Sequence, residues 1–142
     1  MNKFICKPLL VYEKANFICR TKVIWKVLAN IQVNHTAVPK QELPDGINLD
    51  QFYKNIKTQI LANTDSKTYL IEEKEEVFQS YPAKRLVYHT TEEGWKNFVY
   101  TILFFEANGS FYRITTGANE EILKEAQEEL QGIVDSFQFI KK

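Results

Sequence analysis

The sequence predicts an α+β fold, a layered sandwich built about one antiparallel sheet, and three observations carry that expectation. Asn108-Gly109 separates two β-rich runs within Phe98 to Thr116, and an Asn-Gly pair in that setting is the strongest short-range hairpin signal. The two-residue turn fixes a register in which Phe105 faces Tyr112 and Leu103 faces Ile114, while Phe104 meets Arg113 and Glu106 meets Phe111 on the other side. Both faces therefore carry large hydrophobes, and such a sheet needs cover on both sides. Two amphipathic helices, Leu49–Leu61 and Glu120–Asp135, are available to supply it.

A chain of 142 residues suits one domain with a substantial core, and its composition is that of an ordinary soluble protein with zero formal charge. No global charge excess points to nucleic acid. The charge is unevenly placed: residues 1–40 hold seven Lys/Arg against the single acid Glu13, a balance of +6, and residues 41–142 hold eleven against seventeen acids, a balance of −6. Docking of the basic end on the acidic remainder is preferred over a basic arm for a membrane surface or anionic partner, because hydrophobes are interspersed throughout. Cys6 and Cys19 are too few for a disulfide framework and lack the neighbouring Cys or His of a zinc site. Lys7, Pro8 and Glu13 break the apolar run at the N-terminus before it reaches signal-peptide length, and nothing approaches the ~20 apolar residues of a membrane span, so the chain as given is expected to stay in the cytoplasm.

Taken in order, Phe17-Ile-Cys19 and Val23 to Leu28 read as strand pieces, and Asn30 to His35 as a strand with Ile31, Val33 and His35 on one face. Val38 to Gly46, with two prolines and a glycine, reads as a loop. Asn48 caps the first helix with Gln51 three residues on; Leu49, Phe52, Tyr53, Ile56, Ile60 and Leu61 form its apolar stripe, Lys54, Lys57 and Gln59 face away, and Asn63 and Asp65 end it. Lys67 to Ile71 is a strand, Glu72 to Glu76 a charged turn, Tyr81 to Thr90 the next strand, with Pro82 tolerated at its start, and Thr91 to Trp95 a turn. After the hairpin, Asn119 caps the second helix with Glu120 and Glu121 in its first turn; Ile122, Leu123, Ala126, Leu130, Ile133, Val134 and Phe137 are its buried stripe, and Gly132 weakens the last turn by about 1 kcal/mol. Ser136 to Ile140 closes the sheet.

Chemistry-bearing residues are sparse. Cys19, His35 and His89 could in principle supply a nucleophile and base, but they are far apart in sequence and without a glycine-rich oxyanion loop; His89, alternating with Val87, fits a part-buried, hydrogen-bonded histidine better than a general base. Glu72, Glu73, Glu75 and Glu76 lack the Asp/Asn/Gly order of a calcium loop, two histidines make a poor metal site, and the glycines build no phosphate loop. The expectation is therefore no catalytic residue, no metal and no cofactor. Trp95, after Gly94 in a turn, and more weakly Tyr81, are aromatic residues that the fold does not obviously require, which makes them the candidate partner-binding residues.

The run from about Asn30 to Phe139 resembles the PsbP-like, Mog/DcrB-type domain. The residues that carry the resemblance are the helix Leu49 to Leu61 after a proline-bearing loop, Pro82-Ala83 leading to Tyr88, the Tyr112-Arg-Ile-Thr115 strand, and the closing Ser136-Phe-Gln-Phe139. The resemblance implies a three-layer α/β/α sandwich with a central antiparallel sheet. It divides the single domain 1–142 into a core, 21–142, and an N-terminal extension, 1–20, that fits nothing in the pattern; Trp25 also lacks the proline that usually precedes it. Many bacterial relatives are exported, which makes the location depend on the true N-terminus. Members include extrinsic photosystem accessory proteins, a Ran-binding protein, envelope proteins and chaperones of secreted effectors, so the resemblance implies a non-enzymatic protein-binding module, an accessory subunit or small chaperone. A carrier of a small apolar ligand between sheet and helix is the alternative, and a hydrolase using Cys19, His35 and His89 is the third reading.

Overall fold

The computed structural model describes residues 10–11, 31–62, 67–91 and 97–139. In chain order the elements are β1 (Leu10–Val11), β2 (Ile31–Pro39), a 3-10 turn (Lys40–Glu42), α1 (Leu49–Leu61), β3 (Lys67–Phe78), β4 (Tyr81–Thr91), β5 (Asn97–Ala107), β6 (Ser110–Asn119), α2 (Leu123–Asp135) and β7 (Gln138–Phe139). Among the described residues, β2-β6-β5-β4-β3 form a five-stranded sheet in that order with every neighbouring pair antiparallel. One helix lies against each face, which is the α/β/α sandwich expected.

The β5–β6 hairpin has the register its turn dictates. Phe105 pairs with Tyr112, Leu103 with Ile114, Phe104 with Arg113 and Glu106 with Phe111, and Asn108 and Gly109 have φ of 52° and 76°. On the α1 face, Phe104 and Phe111 are fully buried with Leu86 and Ile102. Phe52 stacks on Phe111 at 4.8 Å, and Tyr53 meets Phe104 edge-on at 5.1 Å. The α2 face buries Leu103, Phe105, Tyr112 and Ile114 beneath Ala126, Leu130, Ile133, Val134 and Phe137. Each fully buried ring or branched side chain of this kind contributes roughly 1.5–3 kcal/mol by leaving water, so one strand pair anchors both cores.

Helix α1 begins as its sequence dictates: the Asn48 side chain accepts from the Gln51 N–H at 2.9 Å, and the Gln51 side chain accepts from the Asn48 N–H at 3.1 Å. It ends at Leu61 with Ala62 as cap, before Asn63 and Asp65, which lie outside the described residues. Two positions of the helix differ from expectation. Leu61 is exposed, and Lys57 is turned onto the sheet edge, where its ammonium reaches Glu73 at 2.5 Å.

Four further expectations are corrected. Glu72 to Glu76 is no turn but the middle of β3, which runs unbroken from Lys67 to Phe78 with one register shift between Leu70 and Glu72. Its glutamates are tolerated because basic partners face them: Lys84 reaches Glu75 at 2.9 Å, Arg85 pairs with Glu76, and Lys57 with Glu73. The turn instead falls at Gln79-Ser80, both at positive φ. Asn119 remains in β6, paired with Phe98; its side chain accepts from the Glu121 N–H at 2.9 Å and caps an intervening turn, so α2 begins at Leu123 and not at Glu120. Val38 and Pro39 still belong to β2, and the loop starts after them. The closing segment does not join the central sheet: β7 is two residues long and pairs in parallel with β1. The strand pieces expected around Phe17 and Val23, with Cys19, and the turn holding Trp95 lie outside the described residues.

Candidate functional site

Strand alternation sends Arg85, Val87 and His89 of β4 to the α2 face and Leu86, Tyr88 and Thr90 to the α1 face. Helix α2 packs chiefly on β6, and between it and β3 the α2 face of the sheet forms a groove of about 490 Å³. Its floor is Val87, Leu103 and Ile114, its wall Leu123, Leu130 and Val134, and its rim Glu72, Lys74, Arg85 and Gln127. Arg85 ties the rim together. Its guanidinium engages both carboxylate oxygens of Glu76 and reaches Gln131 of α2 at 3.5 Å, and it holds the Glu76 carboxyl below the usual glutamate range. Beside this groove the outer strand β3 exposes apolar surface, with Tyr69 at 54% and Ile71 at 50%.

His89 is 6% exposed and lies flat under Tyr69, ring centroids 4.6 Å apart, with Nε2 3.7 Å from Glu120. His35 is also buried on the α2 face, opposite Ile114. The two histidines are not brought together: β6 and β5 stand between β2 and β4, which is roughly 14 Å of sheet at ordinary strand spacing. Among the described residues no three His, Cys, Asp or Glu side chains cluster to hold a metal. Tyr81 is half-buried, stacked on Phe105 at 5.8 Å and edge-on to Phe139 at 6.4 Å, which ties one side of its ring to the α2-face core.

The second concavity, about 400 Å³, opens on the α1 face beyond the last turn of the helix. Ile60 and Ile102 form its apolar side, Asn34, Thr68, Thr90 and Thr115 its polar side, and Tyr88 and Tyr100, stacked at 5.3 Å, one end. Arg113 projects into it from β6. Its Nε is buried with no hydrogen-bond partner, and burial pushes its pKa down, opposed by the nearby Tyr88 phenol. Sequence reasoning placed Arg113 opposite Phe104 but gave it no role. The available signal was a cation on a sheet face that also carries Phe104, Phe111 and Tyr100.

No helix among the described residues is long and apolar enough to cross a membrane. No curated protein matches the chain. Two solved structures share its fold at 11% identity. The solution structure of cyanobacterial PsbP (CyanoP) from Synechocystis sp. PCC 6803 superposes with a TM-score of 0.58, covering 88% of this chain and 74% of that one. A protein of unknown function from Pseudomonas aeruginosa, described as a putative regulator, superposes with a TM-score of 0.62 over 79% of this chain and 74% of that one. The PsbP family profile matches residues 13–139, and the chain belongs to the PsbP family.

Proposed function

We propose that the protein is a non-enzymatic protein-binding module, an accessory subunit or small chaperone of a larger assembly, and that its partner docks along the outer edge of β3 and into the adjoining groove. The observation that carries this reading is the unequal protection of that edge. Between Glu72 and Glu76 it is charged and cross-paired, which discourages strand addition, whereas Tyr69, Leu70 and Ile71 beside the register shift are exposed and apolar. An edge of this kind accepts an added strand while the neighbouring groove takes its side chains. Trp95 belongs to the same proposal. It lies in the connection that leaves Thr91, and Thr91 pairs with Lys67, two residues from Tyr69. Tyr81, at the opposite end of β4, is the weaker anchor.

The test is affinity capture with Ile71→Glu and Trp95→Ala beside the wild type, followed by rebinding of the identified partner in purified form. Loss of binding with unchanged melting temperature supports the surface, and wild-type binding by both folded variants removes it. A triple change of Cys19, His35 and His89 to Ala should leave affinity intact once its stability loss is allowed for; a turnover abolished by that change would favour the hydrolase reading.

A carrier of a small apolar ligand is the second reading, favoured by the floor of Val87, Leu103 and Ile114 under α2. Native mass spectrometry distinguishes it: a bound lipid that Val87→Asp removes would shift the assignment from protein partner to ligand.

A further inference from the structure

We propose that the pocket at the C-terminal end of α1 is a binding site for an organic carboxylate, gripped by the guanidinium of Arg113 and flanked by the rings of Tyr88 and Tyr100. Charge accounting over the described residues motivates it. The other part-buried cations facing this sheet have acidic partners: Lys57 has Glu73, Lys84 has Asp50 and Glu75, and Arg85 has Glu76. Among the described residues Arg113 has no ion pair, its Nε is buried without an acceptor, and no Asp or Glu lines its pocket. An arginine stays charged in a protein, and a half-buried cation whose Nε has no acceptor is an arrangement that a bound anion relieves.

The pocket's chemistry selects among anions. A single guanidinium balances one negative charge, and its planar fork matches the two oxygens of a carboxylate. The last turn of α1, at Gln59 and Ile60, presents the negative end of the helix dipole to the same space, which opposes any anion and weighs more heavily on a phosphate dianion than on a singly charged carboxylate. Hydroxyls of Thr68, Thr90 and Thr115 and the Asn34 amide provide further polar contacts, while Ile60, Ile102 and the Tyr88–Tyr100 pair offer apolar surface to a carbon skeleton. A free organic acid and the C-terminal carboxylate of a peptide share this chemistry.

The experiment reads the Nε–H resonance of Arg113 by ¹H–¹⁵N NMR in the intact protein during titration with benzoate, with inorganic phosphate and with sodium chloride. A saturable shift with benzoate, absent with phosphate and chloride, is expected. Removing the fork in Arg113→Gln should weaken benzoate binding at least about tenfold, as loss of a charge-assisted hydrogen bond requires, and Arg113→Lys should not restore it. The wild-type titration stands even where a variant fails to fold. An acetylated tripeptide with a free C-terminus, compared with its amide, separates the two sources: a shift with the acid alone identifies a chain terminus, and a shift with benzoate alone identifies a small acid. An Arg113 resonance unmoved by both benzoate and the peptide acid, or moved equally by chloride, overturns the proposal.

Discussion

Gly117 lies beneath the ring of Tyr100 across the β5–β6 ladder, so close that a Cβ there would sit 2.6 Å from Tyr100 Cε1. The ring has little freedom to retreat, because it is stacked on Tyr88 at 5.3 Å and on Phe98 at 5.6 Å. Glycine at this position is therefore what allows Tyr100 to lie flat and wall the Arg113 pocket. Gly117→Ala should destabilise the fold by roughly 1–3 kcal/mol through overpacking, seen as a lower denaturation midpoint. An unchanged midpoint would mean that the three-ring stack is loose.

At the β5–β6 turn, Gly109 occupies the left-handed region at φ 76°. A β-branched residue resists that conformation, so Gly109→Val should cost on the order of 1–2 kcal/mol. Urea denaturation measures it, and a variant as stable as the wild type would show that the turn rearranges freely.

The β3–β4 turn offers the opposite change. Ser80 sits at φ 70° with no glycine to relieve it, while Gln79 donates from Nε2 to the Phe137 carbonyl at 2.8 Å and so has a reason to stay. Ser80→Gly should raise stability by about 0.5–1 kcal/mol, the strain of a left-handed residue less the added freedom of the unfolded chain. A lower melting temperature would show that the Ser80 hydroxyl, which bonds the Gln79 carbonyl, outweighs the backbone strain.

What the sequence made legible was local. Asn108-Gly109 dictates a register by turn geometry alone, and Asn48 with Gln51 caps a helix within four residues, so both were readable without knowing any distant partner. The glutamates of β3 were not. A Glu-rich run reads as a solvated turn until Lys84 and Arg85 on β4 and Lys57 on α1 are set beside it, and those pairings exist only in three dimensions. Asn119 misled for a related reason: it caps a turn as its type favours, but its backbone is held in the ladder by Phe98, which delays the helix to Leu123. Arg113 was visible as one cation among aromatics. Its significance depends on the absence of a carboxylate among the described residues of the pocket, which are drawn from six elements folded together.

Acid should loosen the β3 edge before it touches either core. The Glu76 carboxyl is held below its ordinary value of 4.5 chiefly by the hydrogen bonds from Arg85, and Glu73 is lowered by its bonds from Lys57 and then from Tyr53. Groups whose folded-state pKa is depressed stabilise the protein above the unfolded-state value, and that contribution is lost as pH falls through 4.5 and below the folded value. Glu73 is more exposed than Glu76, so solvent discounts its share, and the Arg85–Glu76 pair is the one to test. Glu76→Gln should lower stability at pH 7 by roughly 1 kcal/mol, with the gap from wild type closing toward pH 3 as the native carboxylate is itself protonated. Denaturation midpoints of both proteins at the two pH values measure this. A gap that persists unchanged at pH 3 would place the effect of the substitution in packing instead of charge.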